Sequence, residues 1–161
     1  MTPEREYFNT MILPKFIKKY VGKNTVIDIG KPNDGWGYRH MFNGADYRTL
    51  DRQADLSPDI VDDMEDTKLE AEYADVIICN GVIEQCDNPF RLVAGLHKVL
   101  KAGGHGLFGI MSVGFPMMQD LDLCRFTPQG VGRLLKDFKI VDTDVREREG
   151  VPSYIFVTVQ K

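Results

Sequence analysis

The sequence predicts an α/β fold, a doubly wound and mostly parallel sheet that an antiparallel pair of strands closes. Three observations predict it. Apolar runs of strand length alternate with helical runs through most of the 161 residues. The run V-I-D-I at 26–29 is followed at once by Gly30, so a buried strand gives way to a sharp turn of the kind that receives a ligand. Asp51 then follows Gly30 by 21 residues, at the end of a second strand, close to the roughly 20-residue spacing at which an acid of a nucleotide-binding α/β unit meets ribose hydroxyls.

The elements follow in order. Residues 3–20 carry Tyr7, Phe8, Met11, Ile12, Phe16 and Ile17 at helical spacing, with Thr2 or Pro3 at the start and Pro14 as an interruption. This reads as a kinked amphipathic helix, either packed on the core or lying over a ligand. Strand 26–29 leads into the glycine turn, where Gly30, Gly35 and Gly37 permit positive φ and close approach to a bound molecule. Asp28 sits where a buried strand normally carries a hydrophobe, so it needs a partner, either a backbone N–H of the loop or a cationic ligand. A short helix is expected over 35–43, a second strand over 47–50, and a third at Ile60 and Val61. The run at 74–79, A-D-V-I-I-C, has the continuous apolar pattern of a strand buried on both faces.

Pro89 starts a helix over 89–100 behind an Asp87 or Asn88 cap, with Phe90, Val93, Leu96, His97 and Leu100 on one face. Gly103 and Gly104 stop it, and 107–111 forms the fifth strand. Thr127 caps a helix over 127–138, and 139–145 and 153–159 alternate as an antiparallel pair across a turn at Glu149 and Gly150. In such a sheet ligands sit beyond the carboxyl ends of the strands, so Gly30, Asp51, Asp63 and Asn80 converge on one crevice.

With 43% hydrophobic residues the chain is expected to fold as a single domain over 1–161, and its net charge of −4 offers no general attraction to nucleic acid phosphates. Cys79, Cys86 and Cys124 lack C-x-x-C spacing, which suggests neither a disulfide framework nor a zinc site and favours a reduced, cytoplasmic setting. Residues 1–5 do not open as a signal peptide, and no apolar run reaches the roughly 20 residues that span a bilayer. No two of His40, His97 and His105 share metal-ligand spacing, so no metal is expected. Cys79 and Cys86 read as buried small hydrophobes, and Trp36 as a residue packed on the sheet edge.

The ligand can be narrowed by chemistry. The loop G-K-P-N-D-G-W-G lacks the G-x-G-x-x-G spacing that holds a pyrophosphate at a helix N-terminus, and Trp36 stands where a Walker loop needs lysine. S-adenosylmethionine (SAM) has no phosphate, carries two cationic groups and presents two ribose hydroxyls, which suits a loop surrounded by acids.

The ordered set V-I-D-I-G, L-D at 50 and 51, D-I-V-D-D-M, A-D-V-I-I-C-N-G-V-I-E-Q, L-H-K-V-L-K-A-G-G and R-F-T-P-Q-G-V-G-R-L-L resembles the class I SAM-dependent methyltransferases. It is most similar to the small-molecule type in which a V-L-E-H-like segment follows the fourth strand. The resemblance spans residues 26–161 and implies the Rossmann-like, seven-stranded SAM methyltransferase fold. It also implies a cofactor site made of Asp28, Gly30, Lys31, Gly35, Asp51, Arg52, Asp63, Met64, Asn80 and Gly81. In that site Asp28 to Gly30 cradle the methionine part, Asp51 holds the ribose hydroxyls with Arg52 beside the adenine, Asp63 accepts from the adenine amino group, Met64 packs near the ring, and Asn80 closes the site.

The chain departs from the family pattern in two places. Lys31 to Asp34 lengthen the glycine loop, and Gln85 replaces the histidine of the V-L-E-H-like segment, so no catalytic base is identified. Methyl transfer can run chiefly on the alignment of donor and acceptor. The implied activity is methyl transfer to a small-molecule acceptor. The rival reading is a methyltransferase-fold module without turnover that binds SAM, its demethylated product or a protein. Nucleic acid substrates fall behind, because Gly81-Val82-Ile83 follows Asn80 where amino-methylating enzymes carry P-P-Y. The loop at 112–125, with Phe115, Met117, Met118 and Leu121, is expected to line an open acceptor pocket or to meet a second copy in a homodimer.

Overall fold

Thr2 caps the first helix, its hydroxyl accepting from Arg5 N at 3.3 Å, and Pro3 occupies the first turn, where no N–H is needed. A computed structural model describes residues 2–30, 38–118 and 121–161. Helix α1 (Pro3–Tyr7) runs into a π-helical turn, Phe8–Ile12, and then into α2 (Leu13–Tyr20). Pro14 has no N–H to offer the carbonyl four residues back, and the wider turn ahead of it is closed by Leu13 N on Phe8 O. The extra residue in that turn carries Leu13 onto the buried face with Phe8 and Phe16, and turns Met11 outward to 58% exposure. Regular helical spacing had predicted Met11 inside; the π turn reverses that.

Seven strands follow: β1 (Thr25–Ile29), β2 (Asp46–Asp51), β3 (Ile60–Val61), β4 (Ala74–Asn80), β5 (Leu100–Met111), β6 (Lys139–Arg148) and β7 (Val151–Gln160). They form one sheet in the order β3-β2-β1-β4-β5-β7-β6. The first five pair in parallel, while β7 runs antiparallel to both β5 and β6. The expected closing pair is present, turned at Glu149 and Gly150, both with positive φ.

Helices α3 (Pro89–Val99) and α4 (Pro128–Leu134) pack one face of the sheet. Leu92, Leu96 and Val99 meet Ile27, Ile77 and Phe108 there. The other face is covered by the N-terminal helices, whose Phe8, Leu13 and Phe16 meet Val26, Ile78, Leu107 and Phe156. Burying each such side chain contributes roughly 1.5–3 kcal/mol.

Four local expectations need correction. In place of a helix over 35–43, the described part holds only a 3₁₀ turn, Arg39–Met41. Asn88 caps α3 as expected, but Phe90 is 59% exposed because the packed stripe is Leu92, Val93, Leu96 and Val99. Leu100 leaves the helix and opens β5, so that strand begins well before Leu107, with the Gly103 bend inside it. Helix α4 is also shorter than 127–138 and ends at Leu134.

Candidate functional site

Strand register builds the site. Ile29 pairs with Leu50 on one side and with Cys79 on the other, and Cys79 with Phe108. Gly30, Asp51 and Asn80, each one residue further on, therefore emerge together at the carboxyl edge of the sheet. A cleft wraps around that edge in two connected lobes, which share Ile29, Gly30, Asp51, Gln53, Val82 and Gln85. The lobe of about 110 Å³ on the α3 side is lined by Arg52, Asp63, Met64, Cys86, Leu92 and Leu121. The lobe of about 420 Å³ on the side of the N-terminal helix is lined by Arg5, Asp28, Tyr38, Asn80, Gly81, Met111, Phe115, Met118 and Tyr154. The N-terminal helix thus packs on the core and also walls the cleft.

Gly30 sits at φ +86°, and a Cβ there would lie 2.5 Å from a Val82 methyl, so both backbone and space demand glycine. Its N–H donates to Leu50 O at 2.8 Å, which joins the β1 turn to β2. Asp51 Oδ1 accepts from Gln53 N at 2.9 Å, which fixes its carboxylate at the junction of the lobes. Asp63 caps the turn Met64–Asp66 by accepting from Glu65 N at 2.9 Å. Glu65 in turn accepts from Asp87 N and Asn88 N, at 2.9 and 2.8 Å, and ties the Asp63–Met64 wall to the start of α3.

Asp28 is buried, as its place in β1 requires. The backbone or ligand partner expected from the sequence gives way, among the described residues, to a side chain: the Tyr47 hydroxyl donates to Asp28 Oδ2. Burial pushes the Asp28 carboxyl up to about 7, with the Tyr47 bond acting in the opposite direction. On the same side of the sheet Asn80 Oδ1 accepts from the Tyr154 hydroxyl at 2.9 Å. Gly109 makes room for that carboxamide, since a Cβ there would stand 2.0 Å from Asn80 Oδ1.

The segment after Asn80 is held from below. Gln85 Nε2 donates to Gly81 O at 3.0 Å, so the residue that replaces the family's histidine braces the turn. Glu84 is wholly buried; Met111 N donates to its Oε1, while Leu123 N and Cys124 N point to its backbone oxygen. Burial pushes the Glu84 carboxyl to about 7. The loop after β5 is pinned too, with Gly114 N on Pro152 O at 2.8 Å and Arg125 Nε on Asp122 Oδ1 at 2.7 Å. Phe115 and Met118 line the large lobe and Leu121 the small one, but Met117 points away at 76% exposure.

Of the ten residues expected at the site, eight line the cleft: Asp28, Gly30, Asp51, Arg52, Asp63, Met64, Asn80 and Gly81. Lys31 and Gly35, like Trp36, lie outside the described residues. Tyr38, Tyr47, Tyr154 and Arg5 were missed. For Tyr47 a signal existed, because a buried acid in β1 calls for a donor on the adjoining strand; for Tyr154, 74 residues from Asn80, the sequence holds none.

The strand order, the antiparallel β7 and a cleft at the carboxyl ends of β1, β2 and β4 define the class I SAM-dependent methyltransferase fold. Residues 41–108 match the family model described as "Methyltransferase domain".

Several solved structures share the fold. A SAM-dependent methyltransferase from Methanosarcina mazei is 16% identical with a TM-score of 0.74, covering 91% of this chain and 96% of its own. The 1,6-didemethyltoxoflavin-N1-methyltransferase of Burkholderia thailandensis, with bound 1,6-didemethyltoxoflavin and S-adenosylhomocysteine (SAH), is 17% identical with a TM-score of 0.71, covering 98% of this chain and 82% of its own. A chain from the "Complex between the Haloferax volcanii Trm112 methyltransferase activator and the putative methyltransferase" is 12% identical with a TM-score of 0.68, covering 98% of this chain and 91% of its own. No curated protein matches the sequence.

SAM is the cofactor of this class, and the donor set fits it. The cleft offers carboxylates to hydroxyls and cations, an open glycine backbone, and apolar wall in Leu50, Met64 and Leu92 for a flat ring. Among the described residues no helix is long and apolar enough to cross a membrane.

Proposed function

We propose that this chain transfers a methyl group from SAM to a small-molecule acceptor. The reading is carried by the two-lobed cleft, in which Asp51 and Gly30 stand at the junction between an acid-rimmed apolar lobe and a larger lobe lined by tyrosines. In this reading the small lobe takes the adenine, against Met64 and Leu92, with Asp63 and Arg52 at its rim. Asp51 takes the ribose hydroxyls, and Asp28, Gly30, Asn80 and Gly81 surround the methionine part; Lys31 and Gly35, expected at the same site, lie outside the described residues. The bound cofactor supplies an electrophilic methyl group on a sulfonium.

The chain's own residues supply alignment. Phe115, Met111, Met118 and Tyr38 form the apolar and aromatic walls that hold an acceptor and exclude water from it. None of the three histidines lines the cleft, and Gln85 is engaged with Gly81 O, so in this reading the acceptor brings its own nucleophilic character. The acids Glu4, Asp28 and Asp51 in the lining argue for a non-polyanionic acceptor.

Calorimetric titration with SAM and with SAH, beside an Asp51→Ala variant, tests the reading. Micromolar binding by the parent that the variant loses is expected, followed by turnover in a screen of small acceptors. Absence of binding by the parent would reject it.

A further inference from the structure

The carboxamide of Asn80 has one accepting end and one donating end, and which of them faces a ligand depends on how the group is held. Tyr154 decides which. Burial holds its phenol well above the ordinary tyrosine range and so keeps it neutral, with a hydrogen to give. That hydrogen goes to Asn80 Oδ1 at 2.9 Å.

The arrangement is built rather than incidental. Tyr154 stacks on Phe156 with ring centroids 4.8 Å apart and meets Phe115 edge-on at 5.5 Å. Its strand is locked to β5 by the pairing of Met111 with Tyr154. Gly109 and Gly81 leave space around the contact; a Cβ at Gly81 would lie 3.2 Å from the Tyr154 hydroxyl. With Oδ1 held by Tyr154, the NH2 is the end of Asn80 left for the large lobe, which Asn80 lines together with Tyr38.

We propose that Tyr154 is a positioning residue: it holds Asn80 with the NH2 facing the cleft, so that the site reads a hydrogen-bond-accepting oxygen of its ligand. The inference rests on the reading of this cleft as the site of SAM and its acceptor. Two ligand groups carry that chemistry, the carboxylate of the cofactor's methionine part and an oxygen of the acceptor.

Calorimetry separates them, with SAH, with 5′-deoxy-5′-methylthioadenosine, which lacks the carboxylate, and with benzoate titrated into the SAH-saturated protein. Tyr154→Phe removes one hydroxyl. A loss of about tenfold in SAH affinity with methylthioadenosine unchanged assigns the oxygen to the cofactor; unchanged SAH with weakened benzoate assigns it to the acceptor. Asn80→Asp keeps the Tyr154 bond but turns an anionic oxygen into the cleft, and should weaken the affected ligand by about a hundredfold, with an unchanged melting temperature. The proposal is overturned if both variants bind SAH and benzoate as the parent does, or if Tyr154→Phe weakens methylthioadenosine as much as SAH, which would mark simple loss of packing. Failure of the parent to bind SAM or SAH would instead reject the functional reading on which it stands.

Discussion

Tyr47, in β2, gives its hydroxyl hydrogen to Asp28, in β1, beneath the large lobe of the cleft. The pairing satisfies a carboxyl that burial would otherwise strand, and it leaves that carboxyl poised to ionise near neutrality. If Asp28 meets the cationic end of SAM, its ionised form is the binding form. Affinity should then rise about tenfold between pH 6 and pH 8, because the ionised fraction rises by that factor across a value of about 7. Titrations at pH 6, 7 and 8 read this directly, and Asp28→Asn should flatten the profile. A pH-independent parent would refute the assignment of Asp28.

Glu84 makes the opposite demand on stability. Its folded-state value of about 7 lies above the 4.5 of an ordinary glutamate, so the folded protein holds a proton that the unfolded chain gives up. The contribution is fully present below about pH 4.5 and is lost as pH rises through about 7, a change of about 3 kcal/mol. Glu84→Gln keeps an acceptor for Met111 N and cannot ionise. In urea melts it should lose less stability than the parent between pH 5 and pH 8; parallel curves would show that Glu84 does not titrate there.

Gly95 and Gly132 occupy two helices and predict opposite signs. Alanine in a helix normally gains about 1 kcal/mol over glycine. At Gly132 a Cβ meets nothing within 4 Å, so Gly132→Ala should raise the melting temperature slightly. At Gly95 it would stand 2.0 Å from Met64 O, a backbone atom that cannot yield cheaply. Gly95→Ala should therefore lower the melting temperature and weaken SAM binding, because the displaced segment is the wall of the small lobe. A stabilised Gly95→Ala protein would contradict the packing described.

Glu4 anchors the N-terminal helix over the cleft. It is buried, and Arg148 grips it through two bonds, Nε to Oε1 at 2.6 Å and a second to Oε2 at 3.0 Å. Removing the guanidinium strands a buried carboxylate, so Arg148→Met should lose stability in a thermal melt. Adding Glu4→Gln should restore most of it. Hydrogen exchange over residues 3–20 should speed up in the single variant and recover in the double one.

Residue order alone determined much of this protein. Alternating apolar runs, Gly30 after V-I-D-I, Asp51 at its spacing and Asn88-Pro89 at the head of α3 each encode a local preference, and local preferences are legible without a fold. The same order placed Asp51, Asp63 and Asn80 at strand ends, where parallel pairing must gather them. Tertiary structure decided the rest. The π turn that buries Leu13 and exposes Met11 answers the missing N–H of Pro14 against a particular sheet face. The partners of Asp28 and Asn80 come from strands 19 and 74 residues away, and only sheet register brings those hydroxyls to the carboxyl and the carboxamide. Which glycine helps and which harms depends on whether a backbone carbonyl stands 2.0 Å from its missing Cβ, as at Gly95, or nothing does, as at Gly132. Short-range backbone preference is written in neighbouring residues, whereas contact between distant side chains exists only once the sheet has set their distance.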